Sequence, residues 1–207
     1  MQPNRDNQTP REVLTQYYID NGFLPDGGEA SKSVKIYLLP SFPIYFPNFD
    51  SRRKVILKHD LHHLVTGYAN DMAGESEIST WEIASGCKGY TTAFLINSSA
   101  VMTGVLFNLR CVLRAFARGR RTKNLYHDLI TNNQAMDMKI AELRKVFDLD
   151  KVPIDTKPTL TDILLFGLFL VYGLVFSLSS VILIPLIFFY SLYVVITGRN
   201  EQHDSKN

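Results

Sequence analysis

A chain of 207 residues with 22 Lys and Arg against 20 Asp and Glu has a formal net charge of +2, a balance that lends no support to a nucleic-acid partner. Two cysteines, Cys87 and Cys111, make neither a disulfide framework nor a C-x-x-C pair, which predicts a reduced compartment. Charges are scattered through residues 1–158 while Ile163 to Gly198 holds none, so the sequence divides into a domain over 1–158 and a hydrophobic appendage with a polar tail over 159–207.

Met1 to Arg11 is polar and has no apolar core segment, so no secretory signal is expected. Thr9-Pro10-Arg11-Glu12 spells a helix start: Thr9 caps, Pro10 takes the first helical position and Glu12 closes a capping box. That helix turns Val13, Leu14, Tyr17 and Tyr18 inward and is expected to end at Gly22. Pro40, Pro43 and Pro47 forbid a long helix between Val34 and Phe49, which predicts extended chain packed on the domain. Asp50 or Ser51 is expected to cap a helix that stops at Gly67. Asn70 or Asp71 caps the next, which carries Glu75, Glu77 and Glu82 and stops near Gly86.

Tyr90 to Leu109 is uncharged but interleaved with Thr, Ser and Asn, and reads as a central buried helix. Arg110, Arg114, Arg118, Arg120, Arg121 and Lys123 crowd the end of that helix and its exit. They are expected either to face anionic headgroups at a membrane surface or to form a solvated helix end favoured by the macrodipole. Asn132 to Phe147 reads as a last amphipathic helix, with Met136, Ile140, Leu143 and Phe147 on one stripe. The predicted fold class is all-α.

The uncharged run exceeds the roughly 20 residues of helix that cross a bilayer. Ser177-Leu178-Ser179-Ser180 and Pro185 offer a break, so two helices are expected, over 162–177 and 181–197, forming a transmembrane or re-entrant hairpin. Lys151 and Lys157 precede the run, and Arg199 and Lys206 follow it. A hairpin returns both ends to one side, so the bulk of the chain is expected on the cytoplasmic or organelle-matrix face of a membrane. Symmetric association through the apolar helices is left open.

The chemistry concentrates at His59-Asp60-Leu61-His62-His63, followed by Glu75. On a helix over 52–66, His59 and His63 are one turn apart, and Asp60, three before His63, shares their face. Imidazole and carboxylate suit zinc and similar first-row divalent ions. Glu75, returning on an antiparallel helix, would supply the last protein ligand or a general base, and with Asp60 forms the candidate catalytic pair. Glu82 lies two turns further along the same face. His-Asp phosphohydrolases require a further His upstream, and here none precedes His59. Di-iron desaturases require several His boxes, and five histidines do not supply them. A zincin would need Glu where Asp60 stands.

The H-D-x-x-H-x11-E spacing of His59, Asp60, His63 and Glu75 resembles the Coq-four family of ubiquinone biosynthesis. Gly67, Gly74-Glu75, Trp81-Glu82, Arg118-Gly119-Arg120-Arg121-Thr122-Lys123-Asn124-Leu125 and Ala141-Glu142-Leu143-Arg144 extend the resemblance over residues 10–150. It implies an all-α, membrane-associated protein that binds a divalent metal, usually zinc, and handles polyprenyl quinone precursors. Such a protein either removes the ring carboxylate at C1, with oxidation, or organises the other quinone-biosynthesis enzymes without catalysis. Carried over, His59, Asp60, His63 and Glu75 form the metal set, with His59, His63 and Glu75 as principal ligands. Asp60 is then a fourth ligand or orients an imidazole, Glu82 supports the ligands from behind, and His62 points elsewhere. The family's usual members lack a C-terminal hydrophobic hairpin, so Ile163 to Gly198 departs from its pattern.

Overall fold

The computed structural model describes residues 5–28, 30–39 and 42–197; Pro40, Arg199 and Lys206 lie outside the described residues. The architecture is predominantly helical, as the sequence predicts, with one two-stranded addition. Helix α1 (Pro10–Asp20) begins at Thr9 with the expected capping box to Glu12. The proline-punctuated segment is an antiparallel pair, β1 (Ser33–Leu39) and β2 (Phe42–Pro47). Proline lacks the N–H that an inner strand must donate, and two strands are all edge.

Helix α2 (Asp50–Thr66) starts one residue earlier than expected. Phe49 occupies the cap position without a side-chain hydrogen bond, and Asp50 is the first helical residue. Gly67 ends it in the left-handed conformation at φ 79°, where a side chain would be strained. Asp71 then caps α3 (Met72–Ser85), its carboxylate accepting from the Gly74 N–H at 2.8 Å. The expected helix over Asn132–Phe147 is two, α5 (Asn132–Asp137) and α6 (Ile140–Val146). The Glu142 carboxylate accepts from the Lys139 N–H at 3.3 Å and so writes a second helix start inside the stripe.

Helix α4 (Thr91–Gly119) is by length and composition long and apolar enough to cross a membrane. It is not straight. Asn108 has φ −150° and ψ 46°, outside the helical region. A Cβ on Gly104 would lie only 2.7 Å from Val112 Cγ2. Residues eight apart on a straight helix are separated by about 12 Å along its axis, so the chain folds back at Asn108. Gly104 also meets the Ser76 side chain, and Asn97 meets Glu82, so the first arm descends antiparallel to α3. Val101, Val112 and Phe116 close the core between the arms, and Phe166 joins them.

The last helix, α7 (Leu160–Ile196), is a single helix of 37 residues in place of the expected pair. Serine is only mildly unfavourable in a helix, and Pro185 forfeits one backbone bond, so neither breaks a run this apolar. At about 1.5 Å per residue it is roughly 55 Å long. Phe166 rests on Phe116, and Phe169 and Tyr172 rest on Phe94 of α4. Near its other end Ser191 Oγ donates to the Tyr45 carbonyl and accepts from the Tyr45 N–H, both at 3.0 Å, covering an edge of β2. The main core lies on the far side of α3, where Leu61, Val65, Ile78, Trp81, Leu143 and Phe147 are buried together.

Candidate metal site

Three side chains from α2 and α3 converge. His59 Nε2 and His63 Nε2 are 3.3 Å apart. Glu75 presents one oxygen 3.3 Å from His59 Nε2 and the other 3.2 Å from His63 Nε2. The one-turn spacing on α2 aligns the imidazoles, and the Asp71 cap starts α3 where Glu75 falls in its first turn. Among the described residues, His59, His63 and Glu75 form a group able to hold a metal ion.

The remaining nitrogens fix the tautomers. His63 Nδ1 lies 3.1 Å from the Tyr68 carbonyl, which can only accept, so Nδ1 carries the proton. His59 Nδ1 lies 2.9 Å from Glu82 Oε1 and donates to it. Both Nε2 lone pairs therefore face Glu75 and each other. Two lone pairs at that separation repel unless a proton or a cation lies between them. Donors about 2.0–2.1 Å from a tetrahedral zinc are separated by about 3.3 Å, so the two imidazole nitrogens are spaced as such an ion needs, and each has one Glu75 oxygen at a like distance. An imidazole backed by a carboxylate is also the usual arrangement of a zinc-binding histidine.

Glu82 is fully buried and receives four donors. Oε1 accepts from His59 and, at 2.6 Å, from His62 Nδ1; Oε2 accepts from Asn97 Nδ2 at 2.5 Å and Tyr126 Oη at 3.3 Å. Burial works to raise its pKa, but His59 and His62 outweigh that and hold the carboxyl well below the ordinary range. For Glu75 burial again works upward, and the adjacent His59 and His63 rings hold it down at about 2. Burial disfavours the imidazolium of His59, yet Glu82 and Glu75 raise its pKa well above the ordinary value. With both imidazoles neutral, as metal ligation requires, the two ionised carboxylates would leave a double negative charge for a divalent cation to balance.

Asp60 stands outside the group. Its Oδ2 accepts from Tyr18 Oη at 2.8 Å, and burial raises its pKa. Consecutive helical residues point about 100° apart, so Asp60 cannot share the direction of His59. His62 has both nitrogens engaged, since Nε2 accepts from the Leu125 N–H at 3.0 Å. Burial lowers its pKa, and its ring stands edge-on to Trp81 and Tyr126.

The basic cluster is largely consumed by internal contacts. Arg118 is buried, donating to the Val152 carbonyl at 3.1 Å and the Thr66 carbonyl at 3.0 Å over the Tyr68 ring. Arg120 and Arg121 clamp Asp162 at 2.6 and 2.7 Å, and Lys123 pairs with Asp148. A surface role for Arg118 is thereby overturned, because carbonyls freed at the ends of other segments draw its guanidinium inside. Arg114 is half-buried and Arg110 exposed.

Sequence reasoning did not identify Tyr18, Asn97, Tyr126 or the Tyr68 carbonyl. Only Asn97, an amide within an uncharged helix, left a signal. No family model, curated protein or solved structure matches the chain.

Proposed function

We propose that this is a membrane-attached helical protein whose His59, His63 and Glu75 hold a divalent metal, most simply zinc, for work on a polyprenyl quinone precursor. The observation that carries the reading is the convergence of His59 Nε2, His63 Nε2 and the Glu75 carboxylate, with neighbouring atoms 3.2–3.3 Å apart and each histidine backed by an acceptor. The quinone assignment rests on the H-D-x-x-H-x11-E spacing. Membrane attachment rests on the uncharged run from Ile163 to Gly198 and on the apolar side chains α7 leaves exposed, among them Leu164, Leu168, Val171, Phe189 and Ile196.

Three protein ligands leave a coordination position open, as in catalytic rather than structural zinc sites. A bound divalent ion would supply Lewis-acid polarisation of a ring hydroxyl or carboxylate. Glu75 is the half-exposed member, so it forms the accessible rim of the site. Glu82 and the Tyr68 carbonyl keep the two imidazoles in one orientation. The enzymatic form of the reading is loss of the ring carboxylate as carbon dioxide, a proton taking its place. The alternative is a scaffold that presents the same lipid to other quinone-biosynthesis enzymes, with the metal stiffening the α2–α3 pair.

Incubating the zinc-loaded chain in lipid nanodiscs with a polyprenyl hydroxybenzoate tests both. Saturable binding lost in Glu75→Gln supports the substrate class, and a ring lighter by carbon dioxide supports catalysis over scaffolding. Binding indifferent to zinc and to Glu75→Gln would refute the quinone reading.

A further inference from the structure

At the turn of α4 the chain presents large apolar side chains to its surroundings: Leu106 is 79% exposed, Phe107 77% and Leu109 49%. The fold creates this tip, because the non-helical Asn108 joins two arms whose inner faces are already filled. Val101 and Val112 are buried between them, and Gly104 lies against Ser76. Met72, 65% exposed, adds to the same end, one turn before Ser76 on α3. A soluble surface rarely exposes so many large apolar groups together.

Two further observations identify what covers them. Arg110 follows the tip directly and is exposed, with Arg114 one turn later. Apolar residues bordered by arginine match the boundary between acyl chains and anionic headgroups. The first arm of α4 is also continuous with α7: Phe94 packs on Tyr172, and a Cβ on Gly173 would collide with the Met102 sulfur. Leu95 and Ile96, near the start of the same arm, are exposed as well.

We infer that the α4 turn at Leu106–Leu109 dips into an anionic lipid leaflet as a second membrane contact beside α7. The inference rests on the membrane part of the proposed function and deepens it. The depth is set by the fold, since only the residues beyond Gly104 and Val112 are free of the body. Four residues of helix amount to about 6 Å, the reach of an interfacial insertion. Glu75, the half-exposed rim of the metal site, is three residues from Met72, about 4.5 Å along α3. Insertion of the tip therefore brings the rim close to the level of the lipid surface, where a prenylated ring would sit.

The test places tryptophan at the tip. Phe107→Trp in the full chain, with Trp81 retained in the core as an internal reference, is reconstituted into phosphatidylcholine–phosphatidylglycerol vesicles. The added emission is expected to shift to shorter wavelength and to lose intensity when the lipid is brominated near the headgroup end of its chains. Leu106→Trp decides by the same readout where Phe107→Trp fails to fold. Flotation with the vesicles reports α7 separately. A chain that floats with an unquenched, water-like tip emission overturns the inference while leaving α7 in place. A chain that does not float overturns both it and the membrane attachment on which it rests.

Discussion

His59 Nε2 and His63 Nε2 face each other at 3.3 Å, and each ring's other nitrogen is tied to an acceptor, Glu82 Oε1 or the Tyr68 carbonyl. The pair is thus poised to share one positive charge, and in the metal-free chain His59 takes it as a proton. Its raised pKa contributes stability that is fully present below the ordinary histidine value of 6.5 and is lost as pH rises through the folded value. Glu75 behaves oppositely: its contribution is present above 4.5 and is lost as pH falls towards about 2. The metal-free protein should be most stable between these limits, its urea midpoint falling on either side. Zinc must displace the His59 proton, so binding near neutrality should release close to one proton and weaken as pH falls. Calorimetry in buffers of different ionisation enthalpy reads that proton; none released would remove His59 from the ligands.

Glu82→Gln keeps the shape of the hub and removes its charge. His59 and His62 then lose a carboxylate acceptor, and the amide must present a donor to groups that already donate. Zinc affinity measured against a chromophoric chelator should fall roughly 10–100-fold with saturable stoichiometry unchanged. An unchanged affinity would show that the hub serves packing alone.

His62→Ala separates the third histidine from the other two. Both its nitrogens are spent on Glu82 and Leu125, so its removal orphans buried partners and opens space beside Trp81. Unfolding free energy should drop by about 2–4 kcal/mol while the folded protein still binds one zinc. Loss of metal from folded His62→Ala equal to that in His63→Ala would reassign the site.

Arg118→Ala tests the buried guanidinium. It satisfies two carbonyls and stacks over Tyr68, so truncation should cost about 2–4 kcal/mol, and Arg118→Lys should not restore it. Vesicle flotation of the folded fraction should be unchanged. A normal melting temperature with weakened flotation would return Arg118 to the membrane surface.

The metal group was legible because its geometry is local. A four-residue spacing fixes two imidazoles on one face, and capping by Asp71 with termination at Gly67 brings the next helix back beside them. What the sequence concealed depends on distant partners. Asp60 is claimed by Tyr18, forty-two residues earlier, and Arg118 by carbonyls at Thr66 and Val152. Hydropathy across Tyr90–Leu109 predicted a buried apolar helix with the arginines from Arg110 onward at its end and exit. It could not reveal the return at Asn108, which is set by contact between Gly104, Ser76 and Val112. The same apolar continuity hid the single course of α7, since serines and one proline suggested a break that the backbone does not make.

The central claim is that His59, His63 and Glu75 hold one metal ion. Elemental analysis by plasma mass spectrometry on purified wild type, His63→Ala and Glu75→Ala, each checked for folding by circular dichroism, tests it most directly. The account predicts close to one divalent ion per wild-type chain and almost none in either folded variant. A folded wild type that takes up no zinc, iron or cobalt on reconstitution would contradict it, and the histidine pair would then be a structural feature of the α2–α3 interface.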